Sequence, residues 1–251
     1  TATLQAITGS SSASTNTSRQ PAFSSDGQSI YFIDTSAAYG GLYRTHVLTG
    51  ATSRVLAESD LNTEPAVINS GGSDRVYLRG GGSTANVGGI DYFDTADDTR
   101  KVAVTHAALA EFLEITPNPA DVAIFSMTSD TEGNLYFNNT DNNPDRRAIF
   151  KLDPEGRIIK VVSYAERREV FGSLASGGNP NNNTLRMQVR ETTLPSPTAE
   201  GGVPVVKQIL YAEQSGANAI GGAYVFDPGD FNRDNVVTAD DYSLFSSALT
   251  V

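Results

Sequence analysis

Near the C-terminus, Asp230, Asn232 and Asp234 occur at alternate positions, and Asp241 closes the twelve-residue stretch they begin. These residues fall at positions 1, 3, 5 and 12 of a loop register in which position 7, here Val236, donates only its backbone carbonyl. A hard divalent cation such as calcium takes six to eight oxygens at about 2.3–2.6 Å, and this spacing wraps such oxygens around one centre. Position 6, where a sharp turn favours glycine, is Asn235, the residue next most tolerant of that backbone state. The expected ion is therefore Ca2+, held by Asp230, Asn232, Asp234, Val236 and Asp241.

Downstream, Thr238 is placed to cap a helix on which Tyr242, Phe245 and Leu249 share one face. With its Gly229-Asp230-x-Asn232-x-Asp234 opening and the carboxylate at position 12, the stretch 228–249 resembles a dockerin type I repeat. The resemblance implies an EF-hand-type loop that binds calcium. In that family two tandem repeats together grip a cohesin. This chain carries one repeat, so the resemblance extends to calcium and not to a cohesin partner.

Other chemistry is sparse. The two histidines, His46 and His106, neighbour no Ser or carboxylate pattern that would make a nucleophile and its base. There is no nucleophile-elbow motif, no phosphate-cradling glycine loop after a strand and no zinc spacing of histidines. The chain has no cysteine, which removes disulfides and thiolate chemistry. Other acidic clusters (Asp94 with Asp97 and Asp98, Asp130 with Glu132, and 141–145) lack the loop register and read as solvated turns. Asn16, Asn138 and Asn182 each begin a glycosylation sequon, which matters only in a source that glycosylates.

A net charge of −11 opposes binding to nucleic acid or to anionic membranes, both of which rest on Lys and Arg. The same surplus of carboxylates suits divalent cations. No apolar run approaches the roughly 20 residues that would cross a bilayer. A start at Thr1-Ala2-Thr3 without Met is expected of a processed, exported chain.

Many short strands must position these groups, because Gly, Ser, Thr, Asn and Asp are abundant and amphipathic helical runs are few. An aromatic strand recurs as Ile30-Tyr31-Phe32-Ile33-Asp34, Val76-Tyr77-Leu78, Leu135-Tyr136-Phe137 and Ile209-Leu210-Tyr211. A second strand follows each, as Leu42-Tyr43-Arg44, Ile90-Asp91-Tyr92-Phe93-Asp94, Ile149-Phe150-Lys151-Leu152-Asp153 and Tyr224-Val225-Phe226-Asp227. Three of the pairs pass through a polar turn into a third strand, within 53–56, 101–104 and 157–162. Short inner strands are expected at Pro21-Ala22-Phe23 and at 65–68, ahead of the first two pairs. Helices are expected at 106–115, stopped by Pro117, and as a short turn at 164–170. Residues 3–8 alternate as a strand, and 9–18 read as a flexible linker.

Four-stranded units repeated along a chain imply a β-propeller, here of four to five degenerate blades; an irregular β-sandwich is the competing arrangement. The first unit, from Pro21-Ala22-Phe23 through Asp26-Gly27 to Thr49-Gly50, resembles a TolB-like propeller repeat. The third, with Glu132-Gly133-Asn134 and Asp153-Pro154-Glu155-Gly156, is similar to an NHL-type blade. The organisation expected is a strand and Ser/Thr-rich linker at 1–20, the propeller at 21–227, and the calcium loop with its helix at 228–251. The fourth unit lacks an outer strand, and residues 3–8 are suited to supply it, within the chain or between copies.

These features favour a secreted, non-catalytic propeller acting as a structural or protein-interaction module. Strand addition between copies would build filaments or a surface layer, stabilised by calcium. The competing reading is a secreted carbohydrate-binding or glycoside-hydrolysing propeller with a dockerin-like tail. It requires acidic and aromatic residues to converge at one mouth of the central channel.

Overall fold

Alternation of aromatic and β-branched residues is enough to make strands, and the strands run in sequential antiparallel meanders. The computed structural model describes residues 21–35, 40–58, 61, 63–81, 86–114, 123–140, 148–163, 186–193, 205–215 and 218–225. The first sheet holds β1 (Ala22–Phe23), β2 (Ser29–Asp34), β3 (Gly41–His46) and β4 (Thr52–Leu56) in that order. The second holds β5 (Ala66–Ser70), β6 (Ser73–Arg79), β7 (Ile90–Asp94) and β8 (Thr99–Val104). The helix α1 (His106–Phe112) leads to the third, β9 (Ala123–Ser129), β10 (Leu135–Thr140), β11 (Ala148–Leu152) and β12 (Ile158–Ser163). A fourth sheet has three strands among the described residues, β13 (Arg186–Thr193), β14 (Val205–Ser215) and β15 (Asn218–Val225).

The core lies between the sheets. Tyr31, Ile33 and Leu42 of the first pack against Val76, Leu78 and Phe93 of the second. Tyr77 and Ile90, on the opposite face of that second sheet, join Leu109 of α1 and Leu135, Phe137 and Phe150 of the third. Tyr136, one residue from Leu135 and so on the other face, packs with Ile149, Val161 and Met187 towards the fourth. Two packed sheets would bury one face each. Here the second and third sheets bury both, which excludes the sandwich.

The first strands pack edge-on in series: β1 lies against β5, β5 against β9, and β9 against β13. Four antiparallel meanders stacked face to face around their first strands are blades around an axis. The sequence reading missed β9 and β13. Their apolar residues are interrupted by Ser126, Thr128 and Ser129 in one and by Gln188, Arg190 and Glu191 in the other.

α1 begins at His106 as expected, with the Thr105 hydroxyl accepting from the Ala108 N–H at 3.1 Å to cap it. It buries Leu109 and Ala110. The strand at 3–8, the turn at 164–170 and the loop and helix at 228–251 lie outside the described residues.

The hairpin end of β7 is tightly packed. A Cβ on Gly89 would overlap the Asn86 side chain and the Val104 carbonyl. Gly89→Ala is therefore expected to cost about 1–3 kcal/mol, read as a lowered denaturant midpoint at constant slope.

Candidate functional site

The turns that join the first and second strands of the first three blades gather at one end of the axis, around a cavity of about 400 Å3. Ser25, Val67, Asn69, Ser129, Asp130 and Val189 line it, drawn from all four sheets. A second cavity of about 200 Å3 runs between the same first strands and is lined by Phe23, Glu64, Ala66, Met127, Met187 and Gln188. This is the channel on which the sequence allowed carboxylates to meet.

Asp130 and Glu64, which line these cavities, and Asp74 beside Ser25 each have a structural task. Asp74 is buried and draws the first blade onto the second: Ser25 Oγ donates to it at 2.5 Å and Tyr31 Oη at 3.3 Å. Asn69 Nδ2 completes the cluster by donating to Ser25 Oγ at 2.9 Å. Asp130 organises its own turn, accepting from the N–H groups of Glu132 and Asn134 at 3.0 and 2.9 Å and from Asn134 Nδ2 at 2.7 Å. Glu64 is buried and accepts from Ser126 Oγ at 2.6 Å, while that hydroxyl accepts from Met187 N at 3.2 Å. Ser129 Oγ donates to the Val67 carbonyl at 2.6 Å, and Thr128 Oγ1 accepts from Val189 N at 3.4 Å. The hydroxyls of β9 thus bridge the axial strands on either side, which accounts for the broken apolar pattern there.

Tyr31 is 2% exposed, and burial, reinforced by the Asp74 charge, pushes its phenol up to about 12. The neutral phenol's contribution is complete below the ordinary value near 10 and is lost as pH rises toward 12, about 2–3 kcal/mol in all. Tyr31→Phe should flatten the fall in stability over that window, measured by urea unfolding at stepped pH.

Of the acidic clusters expected to be solvated turns, the first and second do lie at turns but Asp94 is buried, and 141–145 lie outside the described residues. Lys101 Nζ sits 2.9 Å from Asp94 and 2.7 Å from Asp97, and its hydrogen bonds hold both carboxyls below the usual range. Burial acts to raise Asp153, but hydrogen bonds from the Arg157 backbone and guanidinium outweigh it and keep this carboxyl low. His46 accepts from Thr49 N at 3.3 Å through Nδ1, as a turn cap. Asn138 is fully buried and accepts from Ser126 N at 2.8 Å, so its sequon is closed to a glycan in the folded chain. No cluster of three or more His, Cys, Asp or Glu among the described residues could hold a metal ion.

The five expected calcium ligands, Asp230, Asn232, Asp234, Val236 and Asp241, lie outside the described residues. Their chemistry nevertheless fits the ion: three carboxylates, one amide oxygen and one backbone carbonyl, all hard oxygen donors.

Three four-stranded blades and a three-stranded fourth, stacked around a channel lined by their first strands, define a β-propeller. Among solved structures, TolB from Acinetobacter baumannii matches with a TM-score of 0.45 and 12% identity, over 82% of this chain and 51% of that one. Regucalcin from Agrobacterium tumefaciens strain C58, described as a calcium-binding protein, matches at 0.40 and 13%, over 59% of this chain and 43% of that one. The chain thus spans about half the length of the TolB structure and less than half of regucalcin. No protein-family model and no curated protein matches the sequence.

Proposed function

We propose that this chain is a secreted, non-catalytic β-propeller that acts as a structural or protein-interaction module at the cell exterior. In this reading it joins copies of itself by strand addition and is stabilised by calcium in its C-terminal loop. The observation that carries it is the composition of the fourth sheet's last described strand. β15 reads Asn-Ala-Ile-Gly-Gly-Ala-Tyr-Val, with neither a charge nor a proline. The outermost strands of the three complete blades instead carry Arg54, Arg100 with Lys101, and Lys160. Charged side chains of that kind keep a free edge from pairing. β15 thus has the composition of a strand with neighbours on both sides, and the uncharged run at residues 3–8 suits its outer edge. The carboxylates of the channel are committed to turns and strand bridges, which supports a scaffold over a catalyst.

Two measurements test the reading. Electron microscopy of the full chain in millimolar calcium should show chains or oligomers, and monomers at every concentration would sink the assembly. Calcium at about 100 times its Kd should add about 2.7 kcal/mol, raising the melting temperature by about 5–10 °C. Asp230→Ala should remove that rise.

The polar mouth of the 400 Å3 cavity, with Ser25, Asn69 and Asp130 on its wall, favours a second reading, a carbohydrate-binding propeller. Binding on a glycan array, lost in Asn69→Ala, would promote it.

A further inference from the structure

The smaller cavity, of about 200 Å3, differs from its larger neighbour in the side chains that face it. The two share Val67 and Ser129 on their walls and so form one channel, but the smaller part is lined by Phe23, Met127 and Met187. The chain has two methionines, and both stand here. Each is buried, Met127 in the core between the second and third sheets and Met187 between the third and fourth. Unbranched thioethers adapt to irregular space and make favourable contacts at the edges of aromatic rings. Phe23 completes the apolar lining. It is 62% exposed, although phenylalanine is among the residues most often fully buried.

The polar side chains of this wall are few, and most already hold the strands together. Glu64 accepts from Ser126 Oγ, Thr128 Oγ1 accepts from Val189 N, and Ser129 Oγ donates to the Val67 carbonyl. Gln188, by contrast, is exposed. A ligand with many hydroxyls would compete for the bridging groups, whereas one with a single polar atom needs only Gln188. Size points the same way. An apolar cavity of about 150 Å3 takes a benzene molecule, and small-molecule sites pair an apolar lining with a few placed polar groups.

We propose that this part of the channel is a binding site for a small aromatic molecule, of phenol or indole size, carrying one hydrogen-bonding group. The ring lies between Phe23 and the two thioethers, and its O–H or N–H donates to the side-chain oxygen of Gln188. The site needs neither calcium nor a second copy of the chain, so it stands apart from the assembly reading above.

Indole is the probe, because the chain has no tryptophan and indole emission can be followed without one in the background. Titrated with the full chain, that emission should move saturably to shorter wavelength, with half-saturation at about 1 mM. Phe23→Ala should weaken binding about tenfold, and Gln188→Ala about threefold, the loss of one hydrogen bond. Two exposed positions on the wall keep the test open should one variant fail to fold. Leu48→Ala, on the exposed turn between β3 and β4, should bind as the parent chain does. No saturable shift up to about 10 mM indole overturns the site. Unchanged affinity in both wall variants means that indole binds elsewhere, and overturns it as well. Displacement of bound indole by glucose gives the cavity a sugar's chemistry and overturns the aromatic class.

Discussion

Phe150→Ala is expected to destabilise the chain by about 3–5 kcal/mol, the range for deleting a buried phenylalanine ring. Phe150 is 1% exposed and sits where three elements meet. Its ring lies 5.4 Å from that of Phe137 on β10 and 5.7 Å, edge-on, from that of Phe112 on α1. Edge-to-face and tilted pairs add to area burial, so truncation removes two ring contacts as well as the transfer term. The loss is comparable to much of a typical domain's whole stability of about 5–15 kcal/mol. Urea unfolding of the variant beside Val102→Ala, an exposed site on β8, is the measurement. The exposed control should move by less than about 0.5 kcal/mol. A cost below about 1 kcal/mol at Phe150 would mean that the second and third blades do not pack as described.

Arg100→Met should cost a similar amount, about 3–5 kcal/mol, for a different reason. The Arg100 guanidinium reaches Asp91, which is fully buried, at 2.8 Å and also bonds Glu58 beyond the end of β4. Asn86 Nδ2 donates to the other Asp91 oxygen at 2.5 Å. Methionine keeps much of the volume but removes the guanidinium from a carboxylate that water does not reach. Breaking one side of a buried pair is costly, whereas replacing both sides is often near neutral. Arg100→Met with Asp91→Leu should therefore recover most of the loss. If the double variant is as unstable as the single one, the guanidinium's contacts with Glu58 and the Gly81 carbonyl carry the effect instead.

Blade strands were readable where the alternation was apolar. Ile90 to Asp94 was predicted as one strand and is β7, and the aromatic triplets at 30–32, 76–78 and 135–137 fall inside β2, β6 and β10. The axial strands were harder. Those expected at 21–23 and 65–68 were found because each lies just upstream of an aromatic strand pair. β9 and β13 were not, because their buried apolar residues are interrupted by side chains that satisfy hydroxyl and backbone groups of neighbouring strands. A run such as Ser126 to Ser129 announces little until Glu64, Val67, Met187 and Val189 are beside it. The strut carboxylates were equally unreadable: Asp74 and Ser25 are far apart in the chain, and only the packing of two blades brings them to 2.5 Å.

What the amino-acid order determined alone was local: strand periodicity, turn chemistry at Asp26-Gly27 and at Asp153 to Gly156, a helix from His106, and an oxygen-donor register at Asp230 to Asp241. Each needs only neighbours within a dozen residues, so each is written in consecutive letters. The tertiary structure decided which faces are buried, which carboxylates serve as struts, and that the meanders surround an axis instead of forming two layers. Those outcomes depend on side chains meeting across blades, where distance along the chain carries no information about distance in space.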